Sequence, residues 1–269
     1  MQNITDPDIV PYIPDGIGNS TDRQRIPAVL IIPGGAFRRL VYNFEGEDVA
    51  KWLNSMGIAA FVLECRLPSD EHDNAEDVPL IDAMRAMRVI RGRAQEFGID
   101  EAKIGVMGFS AGGFMAALLS TAYESDVYAD YKYKDEYDKL SARPDFAVCS
   151  YPVISIDDCI EAGKRYMSEE QVLERISDGK AKILHKYNPD KLVRPDMPPV
   201  FICETDDDRT TLSENSVGFY MAARKAGVSA ELHIFRTGGH GYGCGDDFAQ
   251  TGEWKVLFTK WIKSIGIIS

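Results

Sequence analysis

Six short apolar runs, separated by longer stretches with helical periodicity, constrain this chain more than any other feature. The runs are residues 28–32, 59–63, 104–107, 146–149, 200–203 and 231–235. Each is apolar almost throughout and too short for a helix of ordinary length, as expected for strands covered on both faces. The intervening segments 46–56, 111–123, 213–226 and 252–264 read as helices. From Leu80 to Phe97 a 3.6-residue stripe through Met84, Met87 and Ala94 predicts one long amphipathic helix ending at Gly98, with Asp82, Arg85, Arg88 and Arg93 off the stripe. Strand and helix alternating along a chain imply a mostly parallel sheet between two helical layers, an α/β/α sandwich.

The length of 269 residues fits one such domain spanning 1–269. Two stretches interrupt the alternation. Residues 124–143, rich in Tyr, Asp and Lys, read as a solvated insertion. Residues 156–199, with a helical pattern around Glu169–Lys186 and four prolines after it, are long enough to suggest a lid or binding element. The net charge of −12 argues against nucleic-acid and anionic-membrane partners, which call for clustered Lys and Arg. No apolar run approaches the length of a membrane span, and the opening Met1-Gln2-Asn3-Ile4-Thr5-Asp6-Pro7 has no basic segment followed by an apolar one, so a cytoplasmic location is expected. The five cysteines form no C-x-x-C pair and read as buried free thiols. Nothing in the sequence sets the oligomeric state.

The chemistry concentrates at Gly108-Phe109-Ser110-Ala111-Gly112-Gly113, a G-x-S-x-G motif that follows a strand and opens a helix. In that setting the motif is a nucleophile elbow, which holds Ser110 at the apex of a sharp turn with Oγ exposed at a helix N-terminus. A serine of ordinary pKa needs a base. Of the four histidines, His72 precedes the elbow, against the order serine, acid, histidine. His185 lies in the long insertion and His233 inside a strand. His240 remains, in the glycine-flanked loop after the last strand. The acid should follow the penultimate strand, where Glu204, Asp206, Asp207 and Asp208 compete and spacing alone does not separate them. Tetrahedral oxyanion donors are expected from the Ala111 amide and from Gly35 or Ala36 in the Pro33-Gly34-Gly35-Ala36 loop. Phe37, Arg38, Phe114 and Tyr242 flank this region as candidate substrate-binding residues, with Arg39 beside them; Trp254 and Trp261 read as core.

Taken together, the Ile31-Ile32-Pro33-Gly34-Gly35 segment, Glu45-Gly46-Glu47, the elbow, Tyr151-Pro152-Val153 and Gly238-Gly239-His240-Gly241 make the chain resemble the acetyl-xylan-esterase-like carbohydrate esterases of the α/β-hydrolase superfamily. The resemblance aligns Thr205–Leu212 with the family's acid-bearing segment and selects Asp208, with Asp207 second. Asp206 and Thr211-Leu212 depart from the family pattern there, and Ala36-Phe37 replaces its usual Gly-Tyr. The resemblance implies a serine esterase with triad Ser110, Asp208 and His240 and no metal or organic cofactor. Its expected substrate is a small ester, with short acyl groups, acetyl in particular, on a carbohydrate. A general short-chain carboxylesterase, a prolyl-oligopeptidase-like exopeptidase and a non-catalytic binding protein of the same fold are the alternatives.

Overall fold

In the computed structural model, which describes residues 7–16, 25–68, 74–129, 131, 134–168, 170–171, 182–245 and 250–269, the six expected strands share one sheet with a seventh. The strands are β1 (Asp8–Tyr12), β2 (Ile26–Ile32), β3 (Ala59–Glu64), β4 (Ile99–Phe109), β5 (Ala147–Ser150), β6 (Val200–Thr205) and β7 (Ala230–Phe235). Their order is β1-β3-β2-β4-β5-β6-β7, with β1 antiparallel to β3 and all other neighbours parallel. The additional strand, β1, carries no apolar run because it lies at the sheet edge and is half exposed. Pro11 is tolerated there because an edge strand can spare an amide.

Side chains alternate across the sheet and divide the interior into two cores. Leu30 and Ile32 of β2 pack with Met84, Met87 and Ile90 of α2 (Val78–Gly92) and with the Ala111–Ala122 helix. Val29 and Ile31 face the opposite layer, where Val49 and Leu53 of α1 (Asp48–Ser55) meet Trp254, Phe258 and Trp261 of the C-terminal helix Glu253–Ser264. The Ser213–Lys225 helix covers the first face through Phe219 and Ala223. This is the α/β/α sandwich that the strand–helix alternation implied.

Two local expectations differ from the structure. The long helix expected to run to Phe97 stops at Gly92. After Arg93 the chain makes a single turn, α3 (Ala94–Phe97). At Gly92 a side chain would strike the Tyr137 ring, the nearest atom 2.2 Å from an added Cβ, so the insertion packs where the helix ends. The off-stripe residues of α2 are also not a solvated face. Asp82 is buried and accepts from the Arg66 amide at 2.9 Å and from its guanidinium at 2.5 Å. Arg85 reaches Asp135 at 2.6 Å, Arg88 donates to the Leu140 carbonyl at 3.0 Å, and Arg91 holds Asp145 and the carbonyls of Ser141 and Arg143. The described residues between 124 and 143 are thus attached to α2 through these arginines and the buried Tyr128, while all of them but Tyr128 and Ala142 stay exposed or half-exposed, as a solvated insertion would be.

The expected lid or binding element, residues 156–199, is described in part. Its described residues include the helices Ile156–Lys164 and Lys182–Lys186 and a 3-10 turn, Pro189–Leu192. Ile183, Pro189 and Met197 are buried, and Lys186 and Tyr187 both reach Asp77, at the head of α2. Most of the helical pattern expected around Glu169–Lys186 lies outside the described residues, as do His72 and the N-terminal six residues. Cys65, Cys149, Cys203 and Cys244 are buried thiols; the side chain of Cys159 is outside the description. Among the described residues no helix is long and apolar enough to cross a membrane, and no group of three metal-ligating side chains is present.

The Arg66–Asp82 pair joins the end of β3 to α2 with one carboxylate almost fully buried. Asp82→Ala removes a buried carboxylate that holds both the amide and the guanidinium of Arg66 and should lower the unfolding free energy by about 2–4 kcal/mol, read from urea denaturation; an unchanged midpoint would contradict a structural role for the pair.

Candidate active site

The elbow owes its shape to close backbone approach. An added Cβ on Gly108 would sit 1.9 Å from the Gly112 carbonyl oxygen, and one on Gly112 would sit 1.9 Å from the carbonyl oxygen of Ile32. Only residues without a side chain let the end of β4, the start of α4 (Ala111–Ala122) and the end of β2 meet there. Ser110 takes φ 54°, ψ −118°, an unusual conformation for a side-chain-bearing residue that presents Oγ above the sheet.

Ser110 Oγ lies 2.8 Å from His240 Nε2, and His240 Nδ1 lies 2.6 Å from Asp208 Oδ2. Asp208 is 2% exposed and also accepts from the Thr210 and Thr211 amides, at 2.7 and 3.0 Å, and from the Thr211 hydroxyl at 3.0 Å. Burial opposes its ionisation, but the bond to His240, the imidazole's charge and the two amides outweigh burial and hold the carboxyl below the usual aspartate range. A carboxylate so held fixes the Nδ1–H tautomer and leaves Nε2 free to take the serine proton.

The neighbouring carboxylates that spacing could not separate have different tasks. Asp207 Oδ1 accepts from the Gly238 and Gly239 amides at 2.9 and 2.8 Å, while the Thr205 hydroxyl donates to the Gly239 carbonyl at 2.8 Å. These bonds tether the loop that carries His240. Glu204 points into the interior with no exposure, bonded to the Thr205 amide and the Ser216 hydroxyl. Burial first, and the Asp208 charge second, push its carboxyl well above the ordinary glutamate value.

An open cleft of about 560 Å³ runs over the serine, lined by Ser110 and His240 together with Gly35, Ala36, Arg38 and Arg39. The oxyanion loop supplies free donors: among the described residues the Gly35 and Ala36 amides have no protein acceptor. The Gly34 amide is taken by Glu45 Oε2 at 2.7 Å, which removes it from the candidates. Ala111 heads α4, where first-turn amides have no partner within the helix. Ala36 and Phe37 both sit at positive φ, 55° and 56°, strain consistent with a loop shaped for binding.

Three of the four candidate substrate-binding residues do not reach the cleft. Phe114 is fully buried because α4 is enclosed from Ala111 to Thr121, and Phe37 turns down onto it edge-on at 5.8 Å. Tyr242 is 1% exposed and packs on Tyr151. Arg38 does line the cleft, and the aromatic on its wall is instead Phe44. Two further residues were given no role in the site from the sequence: Glu45 turns inward from a π-helical turn, Asn43–Glu47, and Tyr151 follows β5 with φ 37°. Both fall in segments that carried the family resemblance, the only sequence signal for them.

The comparisons with known proteins agree with this architecture. The BD-FAE family profile matches residues 17–222. The acetylxylan esterase of Xylanibacter ruminicola is 31% identical over 240 residues, 88% of this chain and 45% of that protein. Endo-1,4-beta-xylanase B of Butyrivibrio fibrisolvens is 31% identical over 227 residues, 84% of this chain and 34% of that protein. The chain thus spans less than half the length of these two curated relatives. Among solved structures, the acetyl ester-xyloside bifunctional hydrolase of Caldicellulosiruptor lactoaceticus superposes with a TM-score of 0.80 at 37% identity, over 98% of this chain and 89% of that one.

Two measurements check these assignments. Asp208→Asn should slow acylation of Ser110 by an active-site phosphonate about 10³–10⁴-fold, whereas Asp207→Asn, whose amide oxygen still accepts from the loop, should slow it less than about tenfold. Equal losses would reverse the assignment. For Glu204, the unfolded side chain loses its proton near ~4.3 while the folded one keeps it to higher pH, so the native state binds more protons in between and stability falls as pH rises through that window. Glu204→Gln should therefore be more stable than wild type at pH 8, with the gain shrinking towards pH 4.5 in thermal unfolding.

Proposed function

This chain belongs to the BD-FAE family of α/β-hydrolase proteins, and from that premise we propose that it is a serine carboxylic-ester hydrolase acting on short acyl esters of carbohydrates, acetyl esters first. The observation that carries the reading is the unbroken chain Ser110–His240–Asp208, with bonds of 2.8 and 2.6 Å, opening into a cleft that also holds unpartnered amides. His240 takes the Ser110 proton as Oγ attacks the ester carbonyl, and the Asp208 carboxylate stabilises the imidazolium. The amides of Ala111 and of Gly35 or Ala36 receive the oxyanion. His240 then returns the proton to the leaving alcohol. A water attacks the acyl-enzyme by the same route, releasing the carboxylic acid and restoring Ser110.

The carbohydrate part of the proposal draws on the relatives' names and on an open cleft. A channel of this volume, bordered by two exposed arginines, suits a polar alcohol moiety better than a long acyl chain, which would need a deep apolar tunnel. Arg38 and Arg39 would donate to sugar hydroxyls at the leaving-group side.

A fluorophosphonate should label the wild-type protein and leave Ser110→Ala unmodified; equal labelling of both would end the serine-hydrolase reading. Acetate release from acetylated xylo-oligosaccharides should match or exceed the kcat/KM for p-nitrophenyl butyrate, and Arg39→Ala should raise KM for the oligosaccharide several-fold with little change in kcat. A preference for butyrate by orders of magnitude would remove the carbohydrate.

A further inference from the structure

The hydrolysis proposed above needs two loops at fixed separation, the oxyanion loop after β2 and the base loop after β7. These strands are four places apart in the sheet, about 19 Å at ordinary strand spacing, and no sheet pairing connects them directly. A chain of side-chain bonds does. Glu45 Oε2 accepts from the Gly34 amide at 2.7 Å, and Glu45 Oε1 accepts from the Tyr151 hydroxyl at 2.9 Å. The same hydroxyl oxygen accepts from the Gly243 amide at 3.0 Å, three residues beyond His240. We propose that Glu45 and Tyr151 form a clasp that sets the position of the oxyanion amides relative to His240, making both of them positioning residues for the reaction at Ser110.

Each end of the clasp is closed. On the oxyanion side the Gly34 peptide is pinned twice, its amide by Glu45 and its carbonyl by the Val41 amide at 2.9 Å, and the Gly35 carbonyl accepts from the Arg38 amide at 3.0 Å. The donors left without partners are the Gly35 and Ala36 amides on the cleft wall. On the base side the Gly243 carbonyl accepts from Trp254 Nε1 at 3.0 Å, so this residue is held through both its amide and its carbonyl. Between them, the Tyr151 ring lies edge-on to the His240 ring, with centroids 5.1 Å apart. Its backbone is anchored in its positive-φ conformation by a 2.7 Å bond from its amide to the Cys203 carbonyl and by the Thr211 hydroxyl on its own carbonyl. Thr211 also bonds Asp208, so the clasp meets the acid loop as well.

The chemistry of the residue types fits this task. Tyrosine is the side chain whose hydroxyl, carried on a rigid ring, can accept from one loop and donate to another across a buried gap. A carboxyl group offers two oxygens, one for each loop. Glu45 is 3% exposed, and the two groups that donate to it, the Gly34 amide and the Tyr151 hydroxyl, are neutral. Burial pushes its carboxyl up from the ordinary value, opposed by the bonds from Tyr151 and Gly34. A buried carboxyl bonded by neutral donors is costly to keep, and the clasp is what its two bonds accomplish.

The test is a double-mutant cycle in the full chain, with kcat, KM and burst amplitude on p-nitrophenyl acetate and thermal unfolding for each variant. Glu45→Ala and Tyr151→Phe should each lower kcat about 10–100-fold, short of the full loss of an oxyanion donor, with KM within about threefold of wild type. The double variant should be no slower than the slower single, because both substitutions cut one connection. Glu45→Gln, whose amide can still accept from Gly34 and donate to the Tyr151 oxygen, should recover most of the rate. A merely structural role would lower the burst amplitude, which counts active sites, and leave kcat per active site unchanged. That result, a wild-type kcat in Tyr151→Phe, losses that multiply in the double variant, or a Glu45→Gln as slow as Glu45→Ala would each overturn the clasp. Should Glu45→Ala fail to fold, Tyr151→Phe and Glu45→Gln decide: a kcat loss in the first with near wild-type turnover in the second supports the clasp, and any other pair of results overturns it. A wild-type protein that neither turns over ester nor shows a burst would instead overturn the hydrolase reading on which the clasp rests.

Discussion

Everything at the site depends on the contact of three backbone segments around the elbow. The end of β4, the first turn of α4 and the end of β2 approach so closely that an added methyl group at Gly108 or Gly112 would overlap a carbonyl oxygen at 1.9 Å. Because the segments touch, the apex residue Ser110 is lifted out of the sheet while its neighbour Ala111 begins a helix, and the oxyanion loop that leaves β2 is already beside both. Nucleophile and oxyanion donors are thus placed by backbone packing in the centre of the sheet, the part of such a fold with the lowest tendency to open.

Groups that arrive from farther away are held differently. His240 comes from the loop after β7, at the far edge, and is secured by bonds from the ends of two strands, β6 and β5: Asp207 and Thr205 on its preceding glycines, Asp208 on its ring, Tyr151 on Gly243. Four carboxyl groups, Glu45, Glu204, Asp207 and Asp208, lie within this region of an acidic protein, and each is given an acceptor's task. The surroundings of Asp208 favour its charged form, while burial raises Glu45 and Glu204. The site therefore gathers its negative charge behind the base, where it helps the imidazolium, and disfavours it beside the oxyanion loop.

Much of this was legible in the residue order. The strand runs have a length and apolarity that no other element shares, so six of seven strands could be read. The one missed, β1, is half exposed and lacks that signature. The elbow glycines announce Ser110, and the scarcity of histidine isolates His240. Asp208 needed the family resemblance, since four adjacent carboxylates look alike until the chain turns. The pocket was the least legible part. Phe37, Phe114 and Tyr242 stand next to site residues in sequence, but helix and loop rotation sends them inward, while Phe44 and Glu45, distant in sequence from the elbow and the base loop, reach the cleft. The insertion 124–143 reads as polar and its described residues are mostly exposed, but its attachment to α2 through Arg85 and Arg88 has no local signal in the sequence.

By itself, the sequence determined the layer architecture and singled out Ser110 and His240, because these rest on local patterns: periodicity, glycine spacing and the position of one histidine after a strand. The tertiary structure alone decided which aspartate faces the imidazole, which amides remain free for an oxyanion, and that Glu45 and Tyr151 bridge loops four strands apart. Those facts depend on directions of side chains and on bonds between segments more than a hundred residues apart, such as Glu45 to Tyr151, and no local pattern encodes a direction in space.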